Sequence, residues 1–173
     1  MEIPTTTSFL DYYHKVRQRT ERLLAVIPPD VMDWTFAPGK FTVADQIRHI
    51  AAIERNMFAE TFAGRPSRYT GCGKELADGR DAVMDYFRRM HAETVAIIGS
   101  LTSGDLQRKS ITPGNAAITT WKWMRSLTEH EIHHRAQLYM YLAMLEIKTP
   151  PIFGLTSEEV AAQGYTGDEA PLR

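Results

Sequence analysis

The segment HEIHH, from His130 to His134, combines the residue types of a metal site with a spacing that suits one. It matches the pattern H-E-x-x-H, in which two imidazoles bind zinc and the glutamate between them activates water. Positions four apart on an α-helix differ by about 40° in direction and about 6 Å in rise, so His130 and His134 can bind the same ion. Glu131 points about 100° away from His130. It is expected in solvent or beside the ligands, and it is also a candidate general base.

Two enzyme classes that share this local pattern are disfavoured by the rest of the sequence. One class of zinc peptidase continues as H-x-x-G-x-x-H, whereas Gln137 and Met140 occupy those glycine and histidine positions here. Another takes a glutamate from a later helix, and Glu146 follows too soon on the same helix to close the site. A di-iron carboxylate bundle needs a second E-x-x-H motif, which the sequence lacks.

The apolar residues around the motif place both histidines on the helix face that is directed at the core. This face is formed by Leu127, His130, His134, Leu138, Tyr141 and Leu145, at the three- and four-residue steps of a buried helical stripe. His133 lies about 100° from His134 and is therefore a poorer partner for it. Because catalytic zinc sites usually have three protein ligands, a third ligand is expected from another helix.

His49 is the preferred third ligand. It lies early in the second predicted helix between Ile47 and Ile50, so its side chain can point inward. His14 and His91 adjoin charged residues and are expected at the surface or at its boundary. The predicted metal ligands are therefore His49, His130 and His134.

A metal-free bundle with a ligand pocket is the alternative that requires no ion. A single histidine on an apolar face is commonly a core residue whose nitrogens are satisfied by hydrogen bonds. Burying two of them without a metal leaves up to four ring nitrogens that need partners. The pair at positions 130 and 134 therefore favours metal binding.

Four long amphipathic segments predict the helices that position these residues. They span about residues 5–27, 42–64, 78–101 and 119–147, with Thr42 and Asp45 as a cap for the second. Residues 30–41, 64–77 and a connection of nearly twenty residues before the last helix are expected to be loops, and no convincing strand is expected. We predict an all-α, up-and-down four-helix bundle over residues 1–155. A short helix capped by Thr156 and Glu159 and a mobile tail follow in residues 156–173.

Composition narrows the classes of function. The 173 residues suit one domain, and 20 basic and 21 acidic residues nearly cancel, with no basic block longer than a pair. These features disfavour nucleic-acid binding. The sequence has no leader-like start and no apolar run of about 18 residues, so we expect a cytoplasmic protein that does not span a membrane. Cys72 is the single cysteine, which excludes an internal disulfide and a cysteine-rich zinc site.

Two segments resemble the DinB/YfiT-like family of metalloenzymes. APGKFTVADQIRHIAAIERN is similar to the family's loop, helix start and first ligand, and EHEIHHRAQL is similar to its H-x-x-x-H-R-G-Q ending. The resemblance covers roughly residues 5–155. Ala136 departs from the glycine that the family often has after the arginine, which affects helix packing and no ligand.

The resemblance implies a four-helix bundle, commonly a homodimer, in which His49, His130 and His134 bind a divalent transition metal. Zinc or nickel is expected, because imidazole suits late transition metals. Activities in the family include transfer of low-molecular-weight bacterial thiols to electrophiles and thiol-dependent isomerisation. The leading hypothesis is an enzyme that activates a thiol or water, as a small-thiol S-transferase or a hydrolase. The alternative is a non-catalytic metal-binding protein of a stress response. The sequence leaves the roles of His133, Arg135 and Cys72 open, with structural pairing favoured for Arg135.

Overall fold

The structure, a computed structural model, describes residues 2–164. The long helices are α1 (Thr6–Ala25), α2 (Val43–Ile53), α4 (Arg80–Gly99) and α6 (Thr120–Met144), and the short ones are α3 (Glu60–Phe62), α5 (Ser103–Gln107) and α7 (Ser157–Gln163). A 3-10 turn covers Pro29–Val31, and a π-helical segment, Glu54–Ala59, joins α2 to α3 in one rod. Strands β1 (Lys109–Ile111) and β2 (Ala117–Thr119) form an antiparallel pair.

The four long helices form the predicted all-α bundle. Both α1 and α2 pack against α4 and α6, so α1 and α2 lie at opposite corners. This order differs from a strictly sequential one, in which consecutive helices are neighbours. The predicted cap of α2 is confirmed, since Thr42 and Asp45 exchange side-chain and backbone hydrogen bonds. Within residues 2–164, none of the helices is both long and apolar enough to cross a membrane.

Two apolar clusters fill the bundle. One lies around Ile47, Phe87 and Leu138, and the other around Phe58, Met124 and Leu127. Both contain residues of the α2–α3 rod and of α6. His49 lies between buried residues of α2, so its ring points into the bundle, as its flanking isoleucines predicted.

The connection before α6 is more ordered than the sequence indicated, and the expectation of no strand is wrong. It contains α5 and the β1–β2 hairpin, whose register pairs Ser110 with Ile118. The strands have three residues each, which is too short for an alternating pattern to appear in the sequence. Asn115 turns the chain with a φ of 60°, a conformation that asparagine tolerates better than most residues.

The short terminal helix is confirmed as α7. Its cap is the predicted one, because Thr156 accepts a hydrogen bond from the Glu159 backbone and the Glu159 carboxylate accepts one in return. The predicted mobile tail, GYTGDEAPLR, lies outside the described residues from its second residue onward.

Candidate metal centre

His49, His130 and His134 form a cluster between α2 and α6. One ring nitrogen of each lies within 4.8 Å of those of the other two. Nε2 of His49 is 3.2 Å from Nε2 of His130, and the ring centroid of His134 is 4.5 Å from each of the other two rings. The structure thus brings together the three histidines that the sequence selected.

Hydrogen bonds fix the orientation of the His134 ring. Its Nδ1 lies 2.7 Å from Oε1 of Gln46 and 2.8 Å from Oε1 of Gln137. Both partners are acceptors, so Nδ1 carries the proton and Nε2 keeps its lone pair. Metal-binding histidines are held in this way by oxygen acceptors on the opposite nitrogen.

Tyr69 plays the corresponding part for His49. Its hydroxyl lies 2.9 Å from Nδ1 of His49, which leaves Nε2 directed at the cluster. Tyr69 belongs to the loop 64–77, which the buried guanidinium of Arg48 ties to α2 through the carbonyls of Cys72 and Ala77. A fully buried residue of the helix therefore positions the loop that orients a candidate ligand.

The Cys72 thiol lies beside Tyr69 but outside the histidine cluster. Burial raises the pKa of the Cys72 thiol. The thiol therefore stays protonated and weakly nucleophilic at neutral pH.

The lowered pKa values of the three imidazoles favour metal binding. Burial lowers the pKa of each, and repulsion from the neighbouring rings lowers it further for two of them, to about 3 for His130 and about 4 for His134. All three are neutral at pH 7, as metal binding requires. Nδ1 of His130 is buried and has no hydrogen-bond partner within residues 2–164. Among these residues no protein acceptor therefore orients the His130 ring through Nδ1, and the fit to a divalent ion rests on the three neutral, converging imidazoles.

Aromatic rings flank the cluster. The Phe41 ring centroid lies 5.2 Å from that of His49, and the Phe58 centroid lies 6.0 Å from that of His130. Trp123 packs on Phe58 with centroids 4.6 Å apart. Apolar walls reduce the local dielectric constant and strengthen electrostatic interactions at the site.

The other histidines lie outside the cluster, as predicted. His133 is exposed, and its Nε2 is 3.1 Å from the amide nitrogen of Gln137. His14 is exposed, and His91 is partly buried with Nδ1 2.7 Å from the Glu54 carboxylate. Arg135 is buried and donates to the backbone carbonyl of Val16 at 3.0 Å, a structural contact between α6 and α1.

Glu131 faces α1 instead of solvent, and the expectation of a solvated side chain is wrong. It is 1% exposed, accepts a hydrogen bond from the Thr20 hydroxyl at 2.6 Å and pairs with Arg17 at 3.0 Å. Arg17 also contacts Glu54, which links α1, the π-helical segment and α6 through one buried guanidinium. Both carboxylates need this cation, because unpaired buried charges are costly.

Sequence reasoning missed Gln46 and Tyr69. Gln46 lies three residues before His49, and a glutamine on the inward face of α2 was the available signal. Tyr69 had no such signal, because its approach to His49 depends on the path of an irregular loop. Gln137, which entered the sequence analysis only as a departure from the peptidase motif, contacts His134 in the structure.

Comparisons with known proteins identify the family and the fold. A family model described as the DinB superfamily matches residues 12–138. No curated protein matches. The crystal structure of a DinB-like protein from Bacillus cereus ATCC 10987 aligns with a TM-score of 0.72 at 18% identity, over 86% of this chain and 97% of that chain.

Two further solved structures share the fold. A DinB-like protein from Bacillus subtilis aligns with a TM-score of 0.67 at 20% identity, over 84% of this chain and 96% of that chain. A mutant of the mycothiol-dependent maleylpyruvate isomerase aligns with a TM-score of 0.61 at 11% identity. This last alignment covers 79% of this chain and 63% of the isomerase. At these identities the likeness concerns the fold alone.

Proposed function

This chain belongs to the DinB superfamily, and from that premise we propose that it is a metal-dependent enzyme in which His49, His130 and His134 bind a divalent ion, zinc or nickel, through Nε2. The observation that carries the proposal is the convergence of three neutral imidazoles from two helices. A divalent ion held there lowers the pKa of a coordinated thiol or water toward neutrality and so supplies a nucleophile.

The protein residues around the ligands have separable tasks. Gln46, Gln137 and Tyr69 hold the two rings whose Nδ1 atoms they contact, so that the nitrogens facing the cluster need no rearrangement when an ion binds. Phe41 and Phe58 pack beside the rings of His49 and His130. Glu131 is excluded from our scheme as a general base, because both its oxygens face Thr20 and Arg17.

An open site is favoured over a closed, purely structural one. Structural zinc sites have four protein ligands, whereas catalytic sites have three and leave a position for water or substrate. Within residues 2–164, the cluster contains three candidate ligand residues. We therefore favour an S-transferase or hydrolase over a non-catalytic metal-binding protein.

A thiol substrate is supported by one neighbour in the fold comparison, a mycothiol-dependent enzyme. In the proposed reaction a thiol sulfur attacks an electrophilic carbon. A sulfur–carbon bond forms, the leaving group departs with its electron pair, and the thiol proton passes to solvent. The homodimer and the cytoplasmic location stay predictions.

The test combines metal analysis with an activity screen. Protein purified without an affinity tag is expected to contain about one zinc or nickel per chain. Loaded protein is then mixed with small thiols and monochlorobimane, and thioether formation is followed by fluorescence. We expect metal-dependent turnover that His130→Ala abolishes. Full metal content without reaction across the panel would contradict the enzyme and favour the binding protein.

A further inference from the structure

A cleft of about 570 Å³ lies between the start of the loop 64–77 and the β1–β2 hairpin. Its lining includes three cationic side chains, Arg65, Arg108 and Lys109, and no carboxylate among the described residues. Because the whole chain is close to neutral, this concentration of positive charge is local. Such a surface attracts anions.

Two carboxylates outside the cleft lining, the buried Glu60 and the partly exposed Asp105, pair with the two guanidinium groups. Nε of Arg65 donates to Glu60 at 2.5 Å, and Nε of Arg108 donates to Asp105 at 3.3 Å. Glu60 is 2% exposed and also accepts from Arg55 and Arg68, so it is a fixed anchor. Within residues 2–164, Arg65 donates through Nε and Arg108 through Nε and Nη2, which leaves the terminal nitrogens of Arg65 and Nη1 of Arg108 without a protein acceptor. These donors remain for a ligand, in the planar geometry that suits an oxyanion.

Gly64 makes room for one of these cations. Its φ is +75°, and a Cβ there would lie 2.7 Å from Nη1 of Arg108. The other terminal nitrogen of Arg108 donates to the carbonyl of Phe62 at 2.5 Å, at the end of the α2–α3 rod. The guanidinium is thus held at two points, while its third nitrogen packs against Gly64, which also lines the cleft.

Tyr69 connects the cleft to the histidine cluster. It lines the cleft, and its hydroxyl is the 2.9 Å partner of His49 Nδ1. A molecule in the cleft is therefore separated from a candidate ligand by one side chain. This adjacency suits a substrate with a reactive end at the metal and a charged end among the cations.

We propose that this cleft binds the anionic group, a carboxylate or a phosphate, of the small molecule that reacts at the metal centre. The assignment of that molecule as substrate rests on the proposed function, whereas anion binding by the cleft does not. The charged group is recognised by Arg65, Arg108 and Lys109. Substrates that lack such a group are bound more weakly.

The test measures binding of succinate and of inorganic phosphate by calorimetry, using zinc-loaded protein and His130→Ala. The latter removes the metal centre and leaves the cleft. We expect at least one probe to bind both proteins. Tighter binding of succinate identifies a carboxylate, and tighter binding of phosphate identifies a phosphate. No binding of either probe overturns the proposal, as does binding that His130→Ala abolishes, because the anion then binds the metal.

The residues are tested with a double variant, Arg65→Gln with Lys109→Gln. Because Arg65 is 51% exposed and Lys109 is exposed, folding should be preserved. The metal content of the variant shows independently whether the histidine cluster is intact. We expect about a tenfold loss of anion affinity. The matched control, Lys15→Gln with Arg88→Gln, removes two exposed cations on α1 and α4 and should bind anions normally. Equal affinity in the two double variants overturns the proposal. If wild-type protein is found to bind no metal, that result instead overturns the proposed function.

Discussion

Nε2 of His49 lies 3.2 Å from Nε2 of His130, although the two residues are 81 positions apart and belong to different helices. Two nitrogens bound to a tetrahedral zinc at 2.0–2.1 Å are about 3.3 Å apart. In the metal-free protein one Nε2 can donate its proton to the other at this distance, and a bound cation takes the place of that proton. The separation therefore fits two ligands of one zinc ion.

Alanine replacement of each proposed ligand should abolish metal binding. His49→Ala, His130→Ala and His134→Ala are each expected to lower zinc affinity by more than about 100-fold, since two imidazoles make a weak site. His133→Ala is the matched control on the same helix, and it should keep its metal because His133 contacts Gln137 outside the cluster. Elemental analysis and competition with a chelating dye measure the effect. Full metal in any of the three variants contradicts the ligand set.

Tyr69→Phe should weaken metal binding without unfolding the protein. The variant keeps the aromatic ring and removes the hydroxyl that lies 2.9 Å from Nδ1 of His49. Loss of such a partner typically lowers metal affinity by about 10–100-fold. Tyr12→Phe, at an exposed position of α1, serves as the control. Zinc affinity equal to that of wild type in Tyr69→Phe would show that the hydroxyl does not orient the ligand.

Arg17→Met should strongly destabilise the protein. It removes the buried cation between Glu54 and Glu131 and leaves these buried carboxylates with their contacts to His91 and Thr20 alone. Breaking a buried pair in this way costs about 3–5 kcal/mol. Urea unfolding measures the change, with Arg88→Met at an exposed ion pair as a control that should cost less than about 1 kcal/mol. Similar stability of the two variants would mean that the network contributes little.

Glu131→Gln separates a structural role from a catalytic one. The amide keeps the size of the side chain but loses the charge that pairs with Arg17. We expect lower stability in urea and an unchanged metal content, because the carboxylate lies outside the histidine cluster. If activity were lost while stability stayed at the wild-type level, Glu131 would return as a candidate base.

The helices and the histidine cluster could be predicted because both depend on helical periodicity. The stripe from Leu127 to Leu145 fixed the direction of His130 and His134, and the flanking isoleucines fixed that of His49. The same periodicity could not place Tyr69, which lies in irregular chain. It also misplaced Glu131, because a charged residue beside an apolar stripe is usually exposed and its buried partner Arg17 is 114 positions away in sequence.

The π-helical segment and the hairpin also could not be predicted from the sequence. The residues Glu54–Ala59 have ordinary helix-forming composition, and the widened turn accompanies the buried Glu54 that contacts Arg17 and His91. The cationic cleft joins residues of the loop 64–77 to residues of the hairpin. Neither segment has a periodicity that predicts where it lies.

Metal-free protein should lose stability as the pH falls from about 6.5 toward 3. Burial lowers the pKa of His130 from 6.5 to about 3 in the folded state. Between these values the unfolded chain binds a proton that the folded chain does not, so acid favours unfolding. The contribution of His130 is fully present above about pH 6.5, and His49 and His134 add in the same direction.

Between about pH 6.5 and pH 5 the imidazoles of the unfolded chain titrate, whereas most carboxylates stay ionised, so a stability change in this range reports on the imidazoles. Burial would raise the pKa of Glu60, but hydrogen bonds from Arg65 and Arg55 outweigh it and lower the value from 4.5 to about 2. Glu60 therefore stabilises the fold above about pH 4.5, and this contribution is lost only as the pH falls below that value. Urea unfolding of metal-free protein at about pH 7 and pH 5 measures the imidazole effect, expected to be about 1–3 kcal/mol. His130→Leu removes one of the titrating rings and should reduce the difference. An equal pH dependence in wild type and His130→Leu would show that His130 titrates normally in the folded protein.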